Sequence, residues 1–148
     1  YEEEVYLKQF QELDPQDAED IEKVIKGSGQ TIRKRPYADT WVKYLKSKGS
    51  HVYILSNYSS YMLDHTKKEL TFRREMDGEV FSCYANQLKP DAEIYQTILN
   101  KYQLKPEECV FIDDRPENCR GAQEQGIHTI CFKDFKQVTA DLEKLGVK

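Results

Sequence analysis

The sequence has 148 residues, of which 39% are hydrophobic and 32% are charged, a balance typical of a globular domain with its own core. The formal net charge of −4 disfavours binding to nucleic acid or to an anionic membrane surface. No apolar stretch approaches the ~18 residues that a membrane span needs, and the acidic opening at residues 1–4 is unlike a signal peptide. We therefore expect a cytoplasmic protein that binds neither nucleic acid nor membrane.

The four cysteines show neither a C-x-x-C pair nor the spacing of a zinc site. Cys109 and Cys131 fall in predicted strands, where cysteine usually behaves as a small hydrophobic residue. Reduced thiols are therefore expected at all four positions, Cys83, Cys109, Cys119 and Cys131.

The first 26 residues predict two short helices. The second is predicted to begin with Asp14 as its N-cap and Pro15 at its first helical position. Glycines at positions 27 and 29 are expected to end it.

From residue 31 onward, helices alternate with short apolar strands. Helices are predicted after Pro36 and over 59–70, 90–102, 116–126 and 138–145, and strands over 51–55, 80–84, 110–113 and 128–132. This alternation predicts an α/β fold, a parallel sheet with helices on both faces. Ligands of such sheets bind at the carboxyl ends of the strands, so the residues that follow each strand are the candidate functional residues.

The first strand end and a later loop carry possible phosphate ligands. Ser56 and Asn57 offer a hydroxyl and backbone amides to a phosphate oxygen, although a turn that caps the next helix is the plainer explanation. Lys89 precedes Pro90 at a helix start, a position that suits an anion, although it also suits an ordinary surface lysine.

Two adjacent carboxylates, Asp113 and Asp114, end a third apolar strand. Such a pair is unfavourable without a nearby positive charge, and Mg2+ is commonly held by one or two carboxylates together with a substrate phosphate. Alternatively, Asp114 caps the helix that opens at Pro116, but capping explains only one of the two.

In order and placement, these three features resemble the last three motifs of the haloacid dehalogenase-like superfamily. The motifs here are Leu55-Ser56-Asn57, Lys89-Pro90 and Ile112-Asp113-Asp114 with Asn118 four residues on. The resemblance covers about residues 33–135 and is closest to the branch of alpha-D-glucose-1-phosphate phosphatase and the N-terminal phosphatase domain of epoxide hydrolases. It implies a Rossmann-like core over 31–148 and the remnant of a helical cap over 1–30.

By this resemblance the protein is a phosphatase that forms an aspartyl-phosphate and uses Mg2+. Ser56, Asn57 and Lys89 would bind the transferring phosphoryl group, and Lys89 would balance charge beside the nucleophile. Asp114 would be the main metal ligand, with Asp113 a ligand or its neighbour. The expected substrate is a small phosphorylated metabolite, such as a sugar phosphate.

The resemblance also exposes a missing part. In the family the nucleophilic aspartate follows the first, central strand as D-x-D or D-x-G, and no such strand precedes the cap segment here. That strand lies between those equivalent to 51–55 and 110–113, so we expect a sheet without its centre. We further expect that this chain is a fragment and is inactive alone.

Three alternatives stay open. A non-catalytic relative would bind a phosphorylated ligand or a protein partner, with another chain filling the sheet. A response-regulator receiver has similar residues in a different order. A dehalogenase needs no Mg2+ and leaves Asp113-Asp114 unexplained.

Overall fold

The computed structural model describes residues 3–147. Short 3-10 turns lie at Gly29–Thr31, Thr71–Glu75 and Pro106–Glu108. The elements in chain order are α1 (Glu3–Leu13), α2 (Ala18–Ser28), α3 (Ala38–Ser47), β1 (Tyr53–Ser56), α4 (Ser60–His65), β2 (Gly78–Phe81), α5 (Ser82–Ala85), α6 (Ala92–Tyr102), β3 (Val110–Asp113), α7 (Pro116–Glu124), β4 (His128–Cys131) and α8 (Phe135–Lys144).

The strands form two separate parallel pairs. β1 pairs with β2 in the register Tyr53 to Gly78, and β3 pairs with β4 in the register Val110 to His128. Across residues 3–147, no hydrogen-bonded ladder joins β1 to β3. The predicted α/β fold with parallel strands is therefore confirmed, and its sheet is divided between β1 and β3.

The backbone of β1 directs every second residue away from β2. The Val52 carbonyl accepts a hydrogen bond from the Asp77 N–H on the β2 side, at 2.8 Å. The Leu55 carbonyl instead accepts one from the Lys89 ammonium, at 3.0 Å. Because alternate residues of a strand direct their backbone groups to opposite sides, Tyr53 and Leu55 face away from β2.

The same alternation applies to β3. The carbonyls of Cys109 and Asp113 accept hydrogen bonds from N–H groups at the two ends of β4, at 3.1 and 2.9 Å. Val110 and Ile112 therefore direct their backbone groups away from β4. We call the region bordered by Tyr53 and Leu55 on one side and Val110 and Ile112 on the other the seam.

Helix α6 packs against both strand pairs and holds them together on one face. Its residues Ile94, Tyr95 and Ile98 are buried. They share an apolar cluster with Leu55 of the first pair and Phe111 of the second. Burial of each large apolar side chain contributes about 1.5–3 kcal/mol, so this cluster is a main source of cohesion between the pairs.

The opposite face of the second pair is covered by α3 and α8. Val138 and Leu142 of α8 are buried in a cluster with Ile130 of β4, and Trp41 of α3 and Ile112 of β3 pack against it. Since Phe111 and Ile112 are adjacent in β3 and belong to different clusters, helices cover both faces, as predicted.

Some predicted element boundaries were wrong. Asp14 does not cap the second helix, because its N–H donates to the Phe10 carbonyl and so continues α1. Helix α2 instead begins at Ala18, after Asp17. The predicted 59–70 helix ends at His65.

Two further segments differ from their predicted form. The segment predicted as a strand over 80–84 is strand Gly78–Phe81 followed by the helical turn Ser82–Ala85. The last helix begins at Phe135 and not at position 138, because the Asp134 carboxylate caps it by accepting the Gln137 N–H. The division into a cap remnant over 1–30 and a core over 31–148 stays a prediction.

Gly121 sets the approach of α7 to the loop that carries Lys89. A Cβ at this position would lie 2.4 Å from the Pro90 carbonyl oxygen and 3.0 Å from Cε2 of Tyr95. We expect Gly121→Ala to lower the free energy of unfolding by about 1–3 kcal/mol, because α7 must move away. Urea unfolding monitored by circular dichroism measures this change.

Gly27→Ala is the matched control, since a Cβ at Gly27 in α2 meets nothing within 4 Å. Alanine in a helix stabilises by about 0.5–1 kcal/mol relative to glycine. Equal behaviour of the two variants would contradict the close packing of α7 on the Lys89-Pro90 loop.

Candidate active site

The side chain of Lys89 joins the two strand pairs at the carboxyl end of the seam. Its ammonium donates to Oδ2 of Asp113 at 2.6 Å and to the Leu55 carbonyl at 3.0 Å. The two side chains are only 7% and 8% exposed. Lys89 is therefore not the surface lysine that the plainer interpretation of the sequence offered, and its charge is paired with that of Asp113.

Asp113 is held on its other oxygen as well. Oδ1 accepts the Arg115 N–H and the Asn118 side-chain amide, each at 2.9 Å. Burial alone would raise the pKa of Asp113, but the hydrogen bonds from Lys89, Arg115 and Asn118 outweigh it and lower that pKa. Asp113 is therefore an anion at neutral pH, fixed by three donors.

Asn118 is itself fixed from behind by Tyr95. The Tyr95 hydroxyl donates to the Asn118 carbonyl at 2.8 Å, and both residues are buried. Burial and the nearby Asp113 charge raise the pKa of Tyr95, which keeps the phenol a neutral donor. Asn118 belongs to the last motif of the sequence, whereas Tyr95 falls on an apolar helix stripe and so looks like an ordinary core residue.

Asp114 lies beside this network with an exposed side chain. The alternative that Asp114 caps α7 is wrong, because the helix has Arg115 at its N-cap position without a side-chain capping bond. The Asp113 carboxylate accepts the Arg115 N–H instead. Asp114 is thus an exposed carboxylate next to a buried one.

Asn57 fixes the loop that carries Lys89. Its side-chain amide donates to the Lys89 carbonyl and its oxygen accepts the Lys89 N–H, both at 2.9 Å. The helix that follows is capped by Ser59, which accepts the Met62 N–H at 3.1 Å, so neither Ser56 nor Asn57 is its cap. Ser56 ends β1 at the same edge of the fold.

The donor set at this edge suits a hard cation. Asp113 and Asp114 supply carboxylate oxygens, and Mg2+ is often bound by one or two carboxylates together with water and phosphate. Within residues 3–147, no group of three or more His, Cys, Asp and Glu side chains converges as a complete protein metal site. Asp113 and Asp114 are therefore the candidate carboxylate ligands, and both oxygens of Asp113 already accept hydrogen bonds from Lys89, Arg115 and Asn118.

Comparison with known protein families identifies the family to which this chain belongs. The profile of haloacid dehalogenase-like hydrolases matches residues 2–126, which is most of the chain. The chain belongs to the haloacid dehalogenase-like hydrolases. The resemblance carried by the three motifs is thereby confirmed, and the receiver alternative is set aside.

Two relatives illustrate the range of this family. Flavin mononucleotide hydrolase 1 of Arabidopsis thaliana is 39% identical over 66 residues, which cover 45% of this chain and 27% of that protein. Bifunctional epoxide hydrolase 2 of Rattus norvegicus is 30% identical over 107 residues, covering 68% of this chain and 19% of that protein. The chain thus matches only 27% and 19% of the length of these two relatives.

The fold of this chain is also similar to that of a solved haloacid dehalogenase family enzyme. The wild-type protein bt-2542 of Bacteroides thetaiotaomicron, in complex with magnesium and inorganic phosphate, superposes with a TM-score of 0.64 at 22% identity. The match covers 80% of this chain and 64% of that one. In residues 3–147, no helix has both the length and the apolar character to cross a bilayer. The cytoplasmic location stays a prediction.

The Lys89–Asp113 contact is testable by a double-mutant cycle. Lys89→Met leaves the buried Asp113 carboxylate without its cation, and we expect the free energy of unfolding to fall by about 3–5 kcal/mol. Adding Asp113→Asn should restore part of that loss, because the uncompensated charge is then gone. Lys105→Met, which breaks an exposed pair with Glu108, is the control and should change little.

The pH dependence of the same variants gives a second measurement. Because folding lowers the pKa of Asp113, its contribution to stability is complete above the ordinary carboxyl value of about 4. The contribution is lost as pH falls through the lowered pKa. Stability of Lys89→Met should therefore fall less steeply below about pH 4 than that of the wild type. Parallel pH profiles, or additive effects of Lys89→Met and Asp113→Asn, would contradict the contact.

Proposed function

We propose that this chain forms most of the core of a phosphatase, a phosphomonoester hydrolase that acts on a small phosphorylated metabolite with Mg2+. One observation carries the proposal: a buried lysine, Lys89, pairs with the carboxylate of Asp113 at the carboxyl edge of a divided parallel sheet, next to the exposed Asp114. Membership of a hydrolase family supports a hydrolytic reaction, and this charge arrangement favours a phosphate ester as the substrate.

Each side chain has a defined role in the proposal. Ser56, Asn57 and Lys89 bind the transferring phosphoryl group, and the Lys89 ammonium offsets its negative charge. Asp114, with Asp113 beside it, holds Mg2+, which when bound neutralises phosphate oxygens. The Tyr95–Asn118 pair keeps Asp113 in place.

The nucleophile is the part that the chain does not supply at this edge. We propose that an aspartate carried by a further strand in the seam attacks phosphorus and forms an aspartyl-phosphate. Tyr53 and Leu55 on one side, and Val110 and Ile112 on the other, present backbone groups suited to such a strand. Its carboxyl end would then lie beside Lys89. The 148 residues alone should therefore be inactive.

The substrate is proposed only as a class. A sugar phosphate follows from the resemblance to alpha-D-glucose-1-phosphate phosphatase, and the Arabidopsis relative's name adds flavin mononucleotide to the esters worth assaying. The whole protein's activity and partners are part of the same proposal.

A non-catalytic protein that binds a phosphorylated ligand or a protein partner is the second candidate. The observation that favours it is the absence of an Asp-x-Asp strand end from the 148 residues. Joining a strand that ends in Asp-x-Asp ahead of the chain discriminates between the two. Mg2+-dependent hydrolysis of glucose 1-phosphate or flavin mononucleotide by the joined protein supports the phosphatase, and inactivity of a folded joined protein supports the second candidate.

The proposed Mg2+ site can be tested on the 148-residue chain without the added strand. Titration with Mg2+ in the presence of inorganic phosphate, followed by calorimetry, should show that Asp114→Asn weakens Mg2+ binding by about tenfold or more. Asp64→Asn, which removes an exposed carboxylate paired with Lys67, is the control and should bind like the wild type. Unchanged Mg2+ affinity in Asp114→Asn would remove Asp114 from the metal site.

In the joined protein, Asp114→Asn, Lys89→Ala and Ser56→Ala should each lower activity by about tenfold or more, because each removes a charge or donor aimed at the transition state. Sustained Mg2+-dependent phosphatase activity of the 148-residue chain alone, through repeated purification, would contradict the need for an added nucleophile.

A further inference from the structure

A buried serine, Ser82, contacts the backbone of the loop that follows β1. Its hydroxyl accepts the Tyr58 N–H at 2.9 Å and donates to the Tyr58 carbonyl at 3.4 Å. One side chain therefore pairs both backbone groups of a single residue. Because Ser82 is only 9% exposed, loss of its hydroxyl would leave these groups with little access to water.

The pairing of β1 with β2 brings Ser82 to this loop. Phe81 ends β2 as the ladder partner of Ser56, so the residues that follow the two strands leave the sheet side by side. The Ser82 carbonyl accepts the Asn86 N–H at 2.9 Å, which closes the helical turn α5. The hydroxyl of Ser82 is thus carried by a backbone that the ladder fixes on one side and α5 fixes on the other.

The Tyr58 side chain is engaged with α4 and so holds the same loop from a second direction. The Thr66 hydroxyl donates to the Met62 carbonyl at 2.6 Å, which leaves its oxygen to accept the Tyr58 hydroxyl at 2.9 Å. Thr66 is 1% exposed, so this contact lies inside the fold. Tyr58 is therefore a fixed point of the loop, with its ring bonded to α4 and its backbone bonded to Ser82.

Two proposed phosphate ligands lie directly before this fixed point. Ser56 ends β1, and Asn57 joins it to Tyr58. The Asn57 side chain is committed to the Lys89 backbone, which holds the opposite side of the same loop. Groups that bind a ligand must be held to within about 0.5 Å of their productive positions, so the residue that fixes Tyr58 bears on how Ser56 and Asn57 meet a phosphate.

We propose that Ser82 is a positioning residue for the phosphate site: its hydroxyl fixes the Tyr58 backbone and thereby holds Ser56 and Asn57 where they receive the phosphoryl group. Ser82 acts through Tyr58 and does not itself touch the phosphate. The proposal rests on the proposed function, because it assigns a further residue to the same site.

Hydrogen exchange of the Tyr58 amide, followed by NMR, tests the contact itself without any ligand. We expect this amide to exchange about tenfold faster in Ser82→Ala than in the wild type, because its acceptor is gone. Ser82→Thr keeps a hydroxyl and should keep the protection. An unchanged Tyr58 amide in folded Ser82→Ala would overturn the contact and the proposal with it.

Titration with inorganic phosphate in the presence of Mg2+, followed by calorimetry, tests the positioning role. Phosphate affinity of the chain should be lower by about fivefold or more in Ser82→Ala, and Ser82→Thr should restore it to within about twofold of the wild type. Ser47→Ala is the matched control, since the exposed Ser47 hydroxyl also donates to a backbone carbonyl, that of Tyr44, and should bind phosphate like the wild type. If Ser82→Ala does not fold, Ser82→Cys replaces it, because a thiol is a weaker donor and acceptor and should also lower the affinity.

The possible outcomes separate this proposal from the proposed function. Wild-type phosphate affinity in a folded Ser82→Ala or Ser82→Cys chain whose Tyr58 amide exchanges faster would overturn the positioning role and leave a structural contact only. A loss of affinity that Ser82→Thr does not restore would overturn the part assigned to the hydroxyl. A wild-type chain that binds no phosphate would instead overturn the proposed function of this edge of the sheet.

Discussion

The ion pair of Lys89 and Asp113 is the contact on which the rest of the arrangement depends. The Lys89 ammonium reaches a carbonyl of one strand pair and a carboxylate of the other, and both charged side chains are buried. A buried charge is tolerated only with a partner and further hydrogen bonds, so the surroundings must hold both groups in place. Asn57 does so for Lys89, and Asn118 with Tyr95 does so for Asp113.

This constraint links the fold to its chemistry. Helix α6 supplies the apolar contacts that keep the strand pairs together, and Gly121 lets α7 approach the loop that carries Lys89. The same packing places an exposed carboxylate, Asp114, beside the ion pair. A positive charge, a pair of carboxylates and the open strand sides of the seam thus occur together, as the proposed phosphoryl transfer with an added nucleophile requires.

Sequence patterns predicted the alternation of helices and strands, because short apolar runs and helix breakers are local signals. They also placed Ser56 and Asp113 at the carboxyl ends of parallel strands, which share one edge of a sheet. They did not predict the hydrogen bond from the Tyr95 hydroxyl to the Asn118 carbonyl, which joins residues through tertiary packing. The predicted N-cap at Asp14 was wrong for a similar reason. A capping residue followed by proline is a local signal, but in the structure the Asp14 N–H donates to the Phe10 carbonyl at the end of α1.

Backbone amide hydrogen exchange of the chain tests the central claim, the open seam, most directly. If β1 and β3 lack a common ladder, the amides of Leu55, Val110 and Ile112 should exchange at least about tenfold faster than those of Ile54 and Phe111, which face their paired strands. That alternation along each strand is the predicted result. Equal protection of neighbouring residues in β1 and β3 would show that the seam is closed and would contradict the account.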